Sequence, residues 1–181
     1  AQLCAISTSA TTGAGAVDCD GDGVNNYTEC NPPVGTPPTD PKNPCSNPYT
    51  TGAQVCTAIT NGATGFANVD CDMGGVNDAT ECNPPVGTPP TDPKNPCDDP
   101  GQTSAQLCAI STSATTGAGA VDCDGDGVNN YTECNPPVGT PPTDPKNPCS
   151  NPYTTGAQVC TAITNGATGF ANVDCDMGGV N

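Results

Sequence analysis

Residues 18–29 read D-C-D-G-D-G-V-N-N-Y-T-E, and the same twelve letters return at 122–133. Carboxylates at positions 1, 3, 5 and 12 (Asp18, Asp20, Asp22, Glu29), the amide of Asn26 at 9 and the carbonyl of Val24 at 7 give six oxygen donors. That spacing suits a hard divalent cation, with Gly23 at position 6 allowing the sharp turn. The chemistry open to such a set is coordination of calcium, which takes six to eight oxygens. The second copy nominates Asp122, Asp124, Asp126, Val128, Asn130 and Glu133. The competing reading, an acidic turn facing solvent, does not explain why the acids gather at ligand spacing.

Residues 70–81 form a variant of the loop. Asp70, Asp72, Val76, Asp78 and Glu81 keep positions 1, 3, 7, 9 and 12, while Gly74 replaces the acid at position 5. Weaker calcium binding is expected there, with a calcium-free structural turn as the alternative. A fourth loop begins with Asp174, Asp176 and Val180 and breaks off at Asn181, which predicts a piece of a longer tandem array. Asp98 and Asp99, where the first repeat has Ser46 and Asn47, either serve a separate ion or face solvent.

Other chemistry is poorly provided for. There is no His, Arg or Trp, and the acids are committed to metal, so no acid–base pair and no nucleophile with its base can be assembled. The expectation is that the chain is not an enzyme. Without His or a C-x-x-C pair a zinc site is disfavoured. A net charge of −16 with only three Lys argues against nucleic acid as a partner. No stretch approaches the roughly 18 apolar residues of a membrane span.

These loops must be positioned by a chain that is only 33% hydrophobic and 3% aromatic, too little for a large core. Small modules of this kind need staples, and 14 Cys together with metal supply them. Disulfides persist in oxidising settings, so a secreted, extracellular or cell-surface location is expected. Residues 1–77 recur letter for letter as 105–181, and each period of 104 holds two variants of a 52-residue unit. The repeats are therefore 1–52 (type one), 53–104 (type two), 105–156 (type one) and 157–181 (a truncated type two), the mark of a quasi-linear architecture.

Each repeat opens with an Ala, Ser, Thr and Gly-rich part, such as residues 1–17, that reads as one or two short strands and a loop. The ion loop follows, its last residues forming a helical turn. Residues 30–45 then hold six prolines, which predict an extended, polyproline-like spacer of about 3.1 Å per residue. The fold class expected is thus small disulfide- and calcium-stabilised modules, mostly irregular with short β-strands, strung into a linear tandem-repeat rod. Cysteines alternate at separations of 15 and 11 residues. Pairing over 15 (Cys4–Cys19, Cys30–Cys45, Cys56–Cys71, Cys82–Cys97, Cys108–Cys123, Cys134–Cys149, Cys160–Cys175) leaves no thiol over, and pairing over 11, as Cys19–Cys30, is the alternative.

Gly13, Gly15 and the Thr pair before the loop, and Pro32 and Pro33 after it, exclude the two long helices of an EF-hand. A ligand loop without flanking helices resembles the thrombospondin type 3 repeat, especially its bacterial calcium-binding variants. The residues that carry the resemblance are 18–23 (D-C-D-G-D-G), Cys30-Asn31-Pro32 and 35–41 (G-T-P-P-T-D-P). They cover about half of each repeat, and the Ala/Thr-rich part has no counterpart. The resemblance implies an irregular chain wrapped around calcium ions and stapled by disulfides. It also implies a share in calcium binding for Asp40 and its equivalents Asp92 and Asp144, although one acidic loop per 52 residues is sparser than in the animal repeats.

The expected function is that of a structural extracellular filament, stalk or biofilm fibre stiffened by calcium and self-associating into arrays. The alternative is an adhesin or surface-binding module presented on the same rod. Glycans are possible partners, on the acceptor sequences at Asn26 and Asn130 or on the Ser/Thr clusters at 7–12 and 36–39. A sugar on Asn26 would compete with the metal.

Overall fold

Thr51-Gly52-Ala53-Gln54 is a helix-opening sequence, because a Thr cap and a Gln three residues on can satisfy each other's backbone N–H groups. In the computed structural model, which describes residues 2–177, this reciprocal cap opens three helices, through Thr51 with Gln54, Thr103 with Gln106 and Thr155 with Gln158. In chain order the helices are α1 (Gln2–Ile6), α2 (Asn26–Cys30), α3 (Gly52–Thr60), α4 (Asp78–Cys82), α5 (Ser104–Ile110), α6 (Asn130–Cys134) and α7 (Gly156–Thr164). Single 3-10 turns lie at Gly13–Ala16, Gly65–Asn68 and Gly117–Ala120.

No strand occurs among the described residues, so the β-strands expected at the start of each repeat are corrected to helices. A repeat frame that begins at Ala1 and Ala53 cuts the helix from the threonine that caps it. Val55, Ala58 and Ile59, at i, i+3 and i+4, then carry the helical period.

The helices pair locally. α1 packs on α2, α3 on α4 and α5 on α6, and each pair is pinned by a disulfide: Cys4–Cys30, Cys56–Cys82 and Cys108–Cys134. A second class, Cys45–Cys71 and Cys149–Cys175, joins the end of one proline-rich segment to the ion loop of the next repeat. Cys97 and Cys123 are disulfide-bonded as well. Each of the five bridges named as pairs spans 26 residues, which overturns both the 15-residue pairing (Cys4–Cys19, Cys30–Cys45 and their equivalents) and the 11-residue one. The reason is tertiary. Packing α1 on α2 brings the Cα atoms of Cys4 and Cys30 to 5.3 Å, whereas Cys19, inside the ion loop, is exposed.

Cys19 and Cys160 are free. The equivalents of Cys19, Cys71 and Cys175, bond to a cysteine of the preceding repeat, and those of Cys160, Cys4, Cys56 and Cys108, bond 26 residues onward. Alkylation of the denatured, unreduced monomer should therefore add two labels, on the peptides of Cys19 and Cys160. A chain without free thiols in which Cys4 is joined to Cys19 would restore the 15-residue scheme.

The chain packs as two compact units, one of residues 2–72 with 76–100, the other of 73–75 with 101–177. In the first, Val55, Ala58 and a fully buried Phe66 form the core, with Tyr49, Ile59, Ala63, Val69 and Cys71 around them. In the second, Leu107, Ala118, Ala162 and Phe170 are buried. Such small cores leave the disulfides a large share of the stabilisation.

The proline-rich segment is not the extended strut its composition suggests. Thr36 N–H donates to the Pro33 carbonyl at 3.0 Å, closing a turn that Gly35, at φ 95°, makes possible. The segment then returns, and Thr39 N–H bonds the carbonyl of Glu29 at 3.1 Å. Val34, Val86 and Val138 are left fully exposed at the tips.

Candidate metal centre

The type-one loop is built around its own carboxylates. Asp18 accepts from Gly21 N–H at 2.7 Å and Gly23 N–H at 2.9 Å through its two oxygens. Asp20 Oδ1 accepts from Asp22 N–H (3.3 Å) and Asp22 Oδ1 from Val24 N–H (2.7 Å). Positive φ at Gly21 and Gly23 lets the backbone wind this tightly. Asp18, Asp20 and Asp22 each offer an oxygen within 4.8 Å of the others. Glu29, delivered by α2, is buried; its Oε1 takes the Thr39 hydroxyl at 3.0 Å. The second copy repeats this, with Asp122 accepting from Gly125 and Gly127, Asp124 from Asp126, Asp126 from Val128, and Glu133 from Thr143.

One oxygen on each of three loop acids is left over. Asp20 Oδ2, Asp22 Oδ2 and Glu29 Oε2 are buried without a hydrogen-bond partner, and so are Asp124 Oδ2, Asp126 Oδ2 and Glu133 Oε2. Burial, reinforced by the neighbouring carboxylates, raises Asp22 and Glu29 to about 7, Asp124 to about 7, Asp126 to about 6 and Glu133 to about 8. A buried carboxylate cluster of this kind must take up either protons or a cation. The donors are hard oxygens, the set that suits a divalent cation of the calcium type.

Not every nominated ligand is turned to the cluster. Asn26, fully buried, accepts from Cys19 N–H at 3.1 Å and donates to the Ala14 carbonyl at 2.7 Å, so its amide ties the loop to the preceding 3-10 turn. Asn130 does the same with Cys123 and Ala118. With both amide atoms engaged and no exposure, neither asparagine can carry a sugar in the folded chain. Val24 and Val128 stand in their loops with N–H groups bonded to Asp22 and Asp126. Asp40, Asp92 and Asp144 cap the backbone of Lys42, Lys94 and Lys146, and none belongs to an acidic group among the described residues.

The type-two loop gathers a different set: Asp72, Glu81 and Asp99 lie within 4.8 Å. Asp99 is buried, so the alternative in which Asp98 and Asp99 both face solvent is corrected for Asp99. Asp98 alone is exposed, its carboxylate 3.4 Å from Asp92 N–H. Asp78 takes the structural place of Asn26, accepting from Cys71 N–H at 2.9 Å. Burial and the charges of Asp72 and Asp99 push Glu81 up to about 9, and burial pushes Asp78 to about 6. Asp70 and Val76 share the loop but not that group. Asp174 and Asp176 open the fourth loop, whose Val180 lies outside the described residues.

The type-one loop also docks on the repeat after it. Gly65 N–H donates to the Gly21 carbonyl at 2.9 Å across the repeat boundary, while from the loop's own repeat Tyr49 Oη donates to the Asp22 carbonyl at 3.2 Å. A side chain at Gly65 would overlap the Asp20 carbonyl oxygen, so glycine is what lets the next repeat approach. Gly169 and Tyr153 make the same bonds to Gly125 and Asp126. Among the described residues no helix is long and apolar enough to cross a membrane. No family model, curated protein or solved structure matches the chain.

Proposed function

We propose that the chain is a structural, secreted tandem-repeat protein in which calcium and disulfides lock each repeat to the next, as in a fibre, stalk or biofilm filament. The observation that carries this is the position of the acidic loop. Its buried, unpartnered oxygens sit in the segment that bonds the following repeat through Gly21 and Gly65, and the Cys45–Cys71 bridge crosses the same repeat boundary. An ion there would stiffen a joint rather than trigger a movement, because among the described residues no long helix flanks these loops to swing. Calcium, when bound, supplies only charge neutralisation and geometry; the chain's own residues hold the joint. The disulfides accord with an extracellular setting, and the resemblance to thrombospondin type 3 repeats accords with calcium as a building material.

Small-angle scattering of the purified chain, with millimolar calcium and then with excess chelator, tests this reading. Chelation should broaden the distribution of intramolecular distances while the disulfides stay intact. Identical profiles in the two conditions would remove calcium as the stiffening element. The adhesin reading rests on the exposed Val34, Val86 and Val138, three identical apolar tips available for repeated contact.

A further inference from the structure

Two of the loop-associated positions at which the repeat types differ trade an acid in opposite directions. Where type one has an acid, Asp22, type two has Gly74, and where type one has an amide, Asn47, type two has an acid, Asp99. The amide of Asn47 is spent on its own turn. Its Oδ1 accepts from Tyr49 N–H at 3.0 Å and its Nδ2 donates to the Pro44 carbonyl at 2.5 Å. Asp99, 4% exposed, is instead brought within 4.8 Å of Asp72 and Glu81.

Two further observations point to a ligand at this place. Glu81, with no exposure, has Oε1 on the Thr91 hydroxyl at 3.2 Å and Oε2 without any partner. Asp78, equally buried, has an unpartnered Oδ2. Glu81 and Asp99 are buried and Asp72 half-buried, and a fully buried carboxylate oxygen such as Glu81 Oε2 is costly unless a cation meets it.

We propose that Asp99 is a metal ligand that replaces the missing loop acid, making the type-two site a composite calcium site closed by the segment beyond the proline turns. This rests on the calcium reading of the loops. Type-one acids come from twelve consecutive residues, whereas Asp72, Glu81 and Asp99 span 28. The type-two ion therefore closes a longer loop and orders more chain, so it binds more weakly than the type-one ions and ties the spacer to its own repeat.

Native mass spectrometry of the full chain during calcium titration counts the ions, and tyrosine-sensitised terbium emission reports separately on the type-one loops. Those loops have Tyr27 and Tyr49, while the type-two equivalents are Ala79 and Gly101. Asp99→Asn, which installs the type-one residue, should bind one ion fewer than the parent, or bind it at least about 10-fold more weakly, the low end of what losing an outer partner costs. Its terbium emission should be unchanged. Asp98→Asn should bind the full number, and Gly74→Asp with Asp99→Asn should regain the lost ion by rebuilding the type-one set. An Asp99→Asn chain that binds every ion with parental affinity overturns the proposal, as does a double variant that regains nothing. A parent chain that binds no ion at all, with silent terbium, overturns the calcium reading itself.

Discussion

Raising the pH of the chelated chain from 4.5 to 8.5 will lower its melting temperature, and millimolar calcium at the upper end will restore it. Ordinary carboxyl groups titrate near 3.8 (Asp) or 4.5 (Glu), but in the fold burial lifts Asp22 and Glu29 to about 7, Glu133 to about 8 and Glu81 to about 9. Between those limits the folded chain holds protons that the unfolded chain has released. Stability therefore falls with pH across that window, is greatest below about pH 4 and has been lost once pH exceeds the folded values. Calcium substitutes for the protons, so its binding releases them and tightens as pH rises. At 100 times its dissociation constant an ion stabilises by about 2.7 kcal/mol per site. Calorimetry in chelator and in calcium at four pH values checks this. A melting temperature in chelator that does not change between pH 4.5 and 8.5 would mean that the buried carboxyls do not govern stability.

Removing one bridge by Cys56→Ser with Cys82→Ser should cost about 3.5 kcal/mol, the loop-closure value for a span of this length. That is a large part of the roughly 5–15 kcal/mol that keeps a domain folded. This bridge holds α3 on α4 and so holds the small core of Val55, Ala58 and Phe66 together. The pair Cys45→Ser with Cys71→Ser closes a span of the same 26 residues. It should cost a similar amount while also loosening the joint between repeats, which scattering would register as added flexibility. Urea unfolding gives both numbers. An unchanged midpoint for the first pair, or a disulfide map that joins Cys56 to Cys71, would contradict the 26-residue pairing.

How far the sequence reaches depends on the range of each interaction. Asp18, Asp20 and Asp22 come together because each carboxylate bonds an N–H two to five residues ahead, so their spacing is enough to bring them to one point. The capping box at Thr51 and Gln54 was legible too, once the repeat frame was not allowed to divide it. Pro content, by contrast, misleads at residues 30–45, because one glycine with positive φ turns the segment back onto Glu29.

By itself the amino-acid sequence determined what is local: a repeat of 52 residues, oxygen-rich loops at ligand spacing, too little apolar surface for a large core, and a reliance on cysteine. Only the tertiary structure decided that Cys4 meets Cys30 and not Cys19, that Asn26 secures backbone, and that Asp99 enters the loop of Asp72 and Glu81. The physical reason is that each of these depends on how separated stretches pack. Spacing along the chain fixes contacts within a turn or a short loop, whereas contacts across 18 or 26 residues are chosen by which arrangement buries the few apolar side chains and brings the acids to a common centre.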